Sequence, residues 1–167
     1  LLQSLNAPLF TASSDSLTQL LPADVGNFFV RTRASTEVQS QALASQLINE
    51  FGFTQTIVVQ LDAASEADAA AFRAAAEALG VPPGSAILSD PAQLDVLTEQ
   101  LLQANSDVLV VYGSPSQAGV LFRDLRAGGW EGLYAYNDLG NANFRAFIPL
   151  DQLEGVIGAT TWTFARI

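Results

Sequence analysis

The 167-residue chain contains no histidine, no cysteine and no lysine. Without histidine or cysteine, Ser-His-Asp and Cys-His catalysis fall away, as do zinc sites built on those ligands. Without lysine there is no Schiff-base amine, no Walker-type phosphate lysine and no lysine of a phospho-receiver. Carboxylates remain for acid–base work. The absence of cysteine fits any redox compartment. The expectation is a protein that is not an enzyme, with no catalytic residue, no cofactor and no metal.

Basic charge is equally scarce. The seven basic residues are all arginine and stand against 17 acidic ones, for a net charge of −10. Nucleic-acid binding depends on neutralising phosphates with a basic patch, so nucleic acid is not an expected partner. An anionic membrane surface is disfavoured for the same reason. No apolar run approaches the ~18–20 residues needed to cross a bilayer, so no direct membrane insertion is expected. Hydrophobic residues nevertheless make up 49% of the chain, enough for the core of one α/β domain. No N-terminal signal segment is visible. The opening LLQSLNAPLF reads as the interior of a longer chain, with targeting information cut away.

What is present is most legible in residues 107–139, DVLVVYGSPSQAGVLFRDLRAGGWEGLYAYNDL. An apolar run, Val108 to Val111, stops at Tyr112-Gly113. A helix starts with Ser114 and Pro115 and closes at Gly128-Gly129. A second apolar run, Leu133 to Tyr136, ends in Asn137-Asp138. Two successive strands thus deliver polar or aromatic groups at their C-terminal ends, where open α/β sheets bind small molecules.

The same alternation runs along the chain. Strands are expected at Ala7 to Ala12, Phe28 to Thr32, Thr56 to Leu61, Ser85 to Leu88, Asp107 to Tyr112 and Leu133 to Tyr136, with a last extended run from Glu154 to Thr161. Between them, a short helix is expected near Leu17 to Leu20. Another spans Thr36 to Phe51, with Val38, Ala42, Leu47 and Phe51 as its apolar positions and Gly52 as its stop. Ser65-x-x-Asp68 reads as a capping box for an Ala-rich helix ending at Gly80. Asp90-Pro91 opens a helix to about Ala104, and Ser114-x-x-Gln117 reads as a second capping box, for Pro115 to Ala127. Strands alternating with helices predict a doubly wound, mostly parallel sheet with helices on both faces.

The phrases APLFTASSDSLTQ, FFVRTRASTEVQSQALASQL, SDVLVVYGSPSQAGVLFRDLRAGGW and LEGVIGATTW, in this order, resemble the type I periplasmic binding proteins, particularly the branched-chain amino-acid binding proteins of ABC importers. Members of that family have two α/β lobes of flavodoxin-like strand order that close on a ligand. By that resemblance, residues 1–33 are the end of the first lobe and a hinge crossing. Residues 34–158 are the second ligand-binding lobe, and 159–167 a second crossing back toward the first. The resemblance implies an extracytoplasmic bacterial protein, in the periplasm or at the cell surface, that captures an amino acid or similar small polar metabolite. Its implied partner is an ABC permease.

Site residues follow from the same resemblance. Ser13 and Ser14, after the strand LFTA, match the hydroxyl and main-chain groups that hold a ligand carboxylate, and exposed N–H groups at a helix start suit an anion. Asp138, with Asn137 beside it, matches the acidic residue that binds the ligand ammonium, although Asn-Asp-Leu-Gly is also ordinary turn chemistry. Tyr112 and Gly113 match the family's Tyr-Gly pair walling the pocket, Tyr136 is a weaker candidate of the same kind, and Ser114 adds a hydroxyl. One departure stands out. Where family members carry an Asp, a short spacer and Tyr-Gly after the strand corresponding to TIVVQL, this chain keeps Asp62 but continues AASEADAAAF. Ala63, Ala64 and Ser65 leave that wall small, which points to a ligand bulkier than leucine or differently oriented.

Two other functions use the same framework. The lobe serves equally as the sensing domain of a membrane signalling receptor, its partner then being a signalling module. A flavodoxin-like carrier or enzyme needs a phosphate-binding loop after the first strand of the sheet, and DAASEAD is acidic there.

Overall fold

The computed structural model describes residues 9–11, 29–31, 36–136, 139, 141–148 and 152–158. Two short strands, β1 (Leu9–Thr11) and β2 (Phe29–Arg31), pair in parallel with Leu9 opposite Phe29. Five more strands form a second sheet: β3 (Thr56–Gln60), β4 (Gly84–Ile87), β5 (Val108–Tyr112), β6 (Leu133–Tyr136) and β7 (Val156–Ile157). Its order is β4-β3-β5-β6-β7, and every pairing is parallel. Between the strands lie α1 (Thr36–Ser45), α2 (Glu66–Ala78), α3 (Leu94–Gln103), α4 (Pro115–Ala127) and the single turn α5 (Ala142–Arg145).

Burial follows the pleat. All five residues of β5 are buried, as the centre of a parallel sheet covered on both faces requires. Val108, Val110 and Tyr112 point into a core shared with Leu43 and Leu47 of the first helical segment and with Ala69, Phe72 and Ala76 of α2. Leu109 and Val111 point the other way, into a core with Leu97 and Leu101 of α3, Leu121, Phe122 and Leu125 of α4, and Phe144 of α5. Opposite faces of one strand therefore carry two helical layers. Among the described residues no helix is long and apolar enough to cross a membrane.

The first predicted helix differs in its buried face. Val38 and Phe51 are half-exposed, and the residues turned inward are Gln39, Ser40, Leu43, Ala44 and Leu47. Two polar residues occupy core positions there, and one has an identifiable reason: the Ser40 hydroxyl lies 3.0 Å from the Tyr112 phenol. The helix also widens into a π turn over Gln46–Glu50, closed by Phe51 N–H donating to the Gln46 carbonyl at 3.1 Å. That wider turn moves Phe51 off the face a 3.6-residue period predicts.

Neither capping box forms as expected. Asp62, three residues before Ser65, starts the coil one turn earlier: its Oδ1 accepts from Ser65 N–H at 2.9 Å, and Ala63–Ser65 form a 3-10 turn that runs into α2. Ser114 precedes α4 without a side-chain cap, its hydroxyl pairing with that of Ser116 at 3.1 Å. The Asp90-Pro91 start does form, with Asp90 Oδ1 accepting from Ala92 N–H at 3.0 Å.

Candidate functional site at the strand switch point

Numbered from β3, the five-stranded sheet has the order 2-1-3-4-5, so the winding reverses between β3 and β5. Connections leave the sheet in opposite directions there, and the crevice outside the strand C-termini is left uncovered. Two short segments form this rim: Leu61-Asp62 after β3, and Gly113-Ser114 after β5.

The rim is held tightly. Leu61 N–H donates to the Tyr112 carbonyl at 2.9 Å, extending the β3–β5 ladder past the last strand residues. Gln60, buried, donates through Nε2 to the Asp62 carbonyl at 3.0 Å, and the Ser65 hydroxyl donates to that same carbonyl at 2.9 Å. The Tyr136 hydroxyl donates to the Gly113 carbonyl at 3.1 Å. Gly113 has a φ of +132°, and a Cβ there would meet Leu61 Cβ at 2.7 Å and Asp62 Oδ2 at 3.0 Å. Only glycine lets the two segments approach this closely.

The aromatic residues support this rim from below. Tyr112 is 4% exposed, its ring lies in the core with α1 and α2, and its hydroxyl is shared with Ser40. Tyr136 is stacked on Phe144, centroids 4.7 Å apart. Of the residues singled out from the sequence, Gly113 and Ser114 form the rim, and Tyr112 reaches it through its backbone. Ser13, Ser14, Asn137 and Asp138 lie outside the described residues. Sequence reasoning missed the partnership of Ser40 with Tyr112, and it did not count Asp62 among the site residues. The signal for Asp62 was available: an acidic residue directly ending an apolar strand.

Burial pushes the Tyr112 phenol well above its ordinary value, the hydrogen bond to Ser40 opposing this, and burial does the same to the fully buried Tyr134. A phenol whose pKa is raised by folding contributes stability that is complete below about pH 10 and is lost as pH rises further, because the unfolded chain ionises first. Stability is therefore expected to fall above about pH 10 by up to roughly 1.4 kcal/mol per pH unit for each such tyrosine. Urea melts between pH 9 and 11.5 check this, and Tyr112→Phe is expected to flatten the slope by one tyrosine's share.

At the opposite end of the sheet lies an open cavity of about 650 Å³, lined by Ser106, Asp107, Trp130, Glu131, Gly132 and Gly155, among others. It sits at the N-terminal ends of β5 and β6. Arg126 organises this end: its guanidinium donates to the carbonyls of Trp130, Gly132 and Glu154 at 2.6, 2.9 and 3.2 Å and lies over the Phe122 and Trp130 rings. In open α/β sheets this end carries structure and the C-terminal end carries ligands. No group of acidic residues among those described is placed to hold a metal ion.

No protein-family model matches the sequence, and no curated protein matches it. Solved structures do. A leucine binding protein from Thermotoga maritima superposes with a TM-score of 0.73 at 19% identity, over 93% of this chain and 45% of that one. A substrate-binding periplasmic protein from Ralstonia solanacearum gives 0.68 at 16% identity, over 93% and 44%. An extracellular ligand-binding receptor from Verminephrobacter eiseniae gives 0.64 at 14% identity, over 80% and 40%. These neighbours are binding proteins rather than enzymes, and the chain spans less than half the length of each. With its parallel five-stranded sheet wound in the order 2-1-3-4-5, the chain has the fold of the periplasmic binding proteins.

Proposed function

We propose that the chain is the greater part of the second lobe of an extracytoplasmic solute-binding protein that captures an amino acid or similar small polar metabolite for an ABC importer. In this reading residues 34–158 are the lobe, with residues 1–33 and 159–167 leading from and toward the other. The observation that carries it is the immobilised rim at the strand reversal, where Gly113 and Ser114 stand beside Asp62 with both backbone segments already hydrogen-bonded. The likeness to periplasmic and leucine-binding structures supports the same reading. Gly113 and Ser114 touch the ligand, with the Tyr112 ring beneath them. Asn137 and Asp138 meet the ligand ammonium, and Ser13 and Ser14 its carboxylate.

Binding through such a site does no chemistry on the ligand. A preformed rim lowers the ordering cost of capture, and closure of two lobes removes the ligand from water. A micromolar ligand of the whole protein corresponds to about 8.2 kcal/mol; half of that, about 4.1 kcal/mol, is millimolar affinity. Ligand-observed saturation-transfer NMR with millimolar pools of amino acids is therefore the fitting test. Transfer to at least one amino acid, competed by an excess of the same compound, is the expected result. No transfer to any pool up to tens of millimolar contradicts the proposal.

A further inference from the structure

Tyr134 and Tyr136 stand at alternate positions of β6, turn to the same face of the sheet, and each donates its hydroxyl to a backbone carbonyl. Their acceptors differ. Tyr134 donates to the carbonyl of Ala118, a residue inside α4, where the helix itself orients the peptide. Tyr136 donates at 3.1 Å to the carbonyl of Gly113, a residue between β5 and α4 that belongs to neither. The Tyr136 ring is a fixed post: it is buried and stacked on the fully buried Phe144, with 24° between the ring planes. The peptide joining Gly113 to Ser114 is trans. Its two ends point in opposite directions, so a carbonyl tied down to Tyr136 aims the Ser114 N–H away from the core. Among the described residues no acceptor takes that N–H, nor the N–H of Gly113. Both residues are partly exposed, and an amide there without a protein partner is left to solvent, which at the strand reversal is the crevice.

We infer that Tyr136 is a positioning residue of the ligand site, one that acts through the Gly113 carbonyl and presents the Ser114 N–H to a hydrogen-bond acceptor on the solute. The inference rests on the proposed function, in which Gly113 and Ser114 meet the ligand. It gives Tyr136 a different part from the pocket wall expected of it from the sequence: the side chain stays beneath the rim and does not touch the solute. A donor held in place before binding spares the complex the cost of ordering it. Without the Tyr136 hydroxyl the Gly113–Ser114 peptide loses its anchor on the β6 side, while the Tyr112 carbonyl still accepts from Leu61 N–H at 2.9 Å. The loss is therefore confined to one peptide, about one neutral hydrogen bond, or roughly fivefold in affinity.

The test compares Tyr136→Phe with Tyr134→Phe, each of which removes one hydroxyl from a buried ring and keeps the ring. Amide NMR follows Ser114 in the isotope-labelled native chain and in both variants, first alone and then with pools of common amino acids at millimolar concentration. In the free protein, the backbone order parameter of Ser114 is expected to fall in Tyr136→Phe and to hold its native value in Tyr134→Phe. With the pools, the concentration giving half of the Ser114 shift is expected to rise about fivefold in Tyr136→Phe and to stay native in Tyr134→Phe. An unchanged order parameter or an unchanged midpoint in Tyr136→Phe, or an equal rise in both variants, overturns the role of Tyr136 and leaves amino-acid capture standing. Silence of the native chain toward every pool overturns the two readings together.

Discussion

Replacing Tyr134 with alanine is expected to cost about 3–5 kcal/mol, which approaches the whole stability of many domains of this size. Tyr134 is fully buried where α4 and α5 pack against the sheet. Its ring packs edge-on against Phe122 with centroids 5.0 Å apart and lies stacked with Phe144 at 6.4 Å. Its hydroxyl donates to the Ala118 carbonyl at 2.8 Å, in the first turn of α4. Truncation would open a cavity among groups that cannot collapse into it, since both neighbouring rings are themselves anchored by the core. Urea unfolding followed by circular dichroism measures the loss. Tyr134→Phe, which keeps the ring and removes one hydrogen bond, is expected to cost only about 1 kcal/mol. A similar loss in both variants would show that the hydroxyl, and not the packing, dominates this position.

Substitution of Gly113 by alanine is expected to cost roughly 2–4 kcal/mol, combining the strain of a positive φ with the collision against Leu61 and Asp62. Gly129→Ala supplies the control: its φ is +86°, and nothing lies within 4 Å of the added methyl, so only the backbone term remains. The difference between the two variants isolates the close approach of the β3 and β5 rim. The same Gly113→Ala change is expected to weaken any ligand at the switch point, because it displaces Asp62 from its position. If the two alanine variants lose equal stability, the rim is looser than the distances describe.

The parallel α/β architecture was legible because its signals are local. Runs such as TIVVQL and VLVVY read as buried strands, and the breaks between them contain the turn and cap residues that stop them. Strands β3, β4, β5 and β6 lie within a residue or so of where the pattern puts them. Less was legible wherever a polar side chain finds its partner far along the chain. Ser40 looks like a surface residue until Tyr112, 72 positions later, is brought to its hydroxyl. The apolar face of α1 was therefore misjudged, since periodicity counts hydrophobic residues and cannot count satisfied polar ones. The capping boxes failed for a related reason. Ser65 has the right spacing to Asp68, but Asp62 already supplies the first turn. At the candidate site, Gly113 and Ser114 could be picked out because a strand ends and a helix begins there. Their approach to Asp62 depends on the β3–β5 pairing, a contact across about fifty residues, and no local motif encodes it.

The central claim is that this fold presents its ligand site at the strand reversal and not at the cavity beside Trp130 on the opposite end of the sheet. Amide chemical-shift mapping tests it most directly, by titrating the isotope-labelled chain with whichever amino acid gives the strongest saturation transfer. The account predicts saturable shifts concentrated at Asp62, Gly113 and Ser114, with Ser106, Trp130 and Gly132 unmoved. Shifts concentrated on Ser106, Trp130 and Gly132, with Asp62 and Gly113 unmoved, would contradict it.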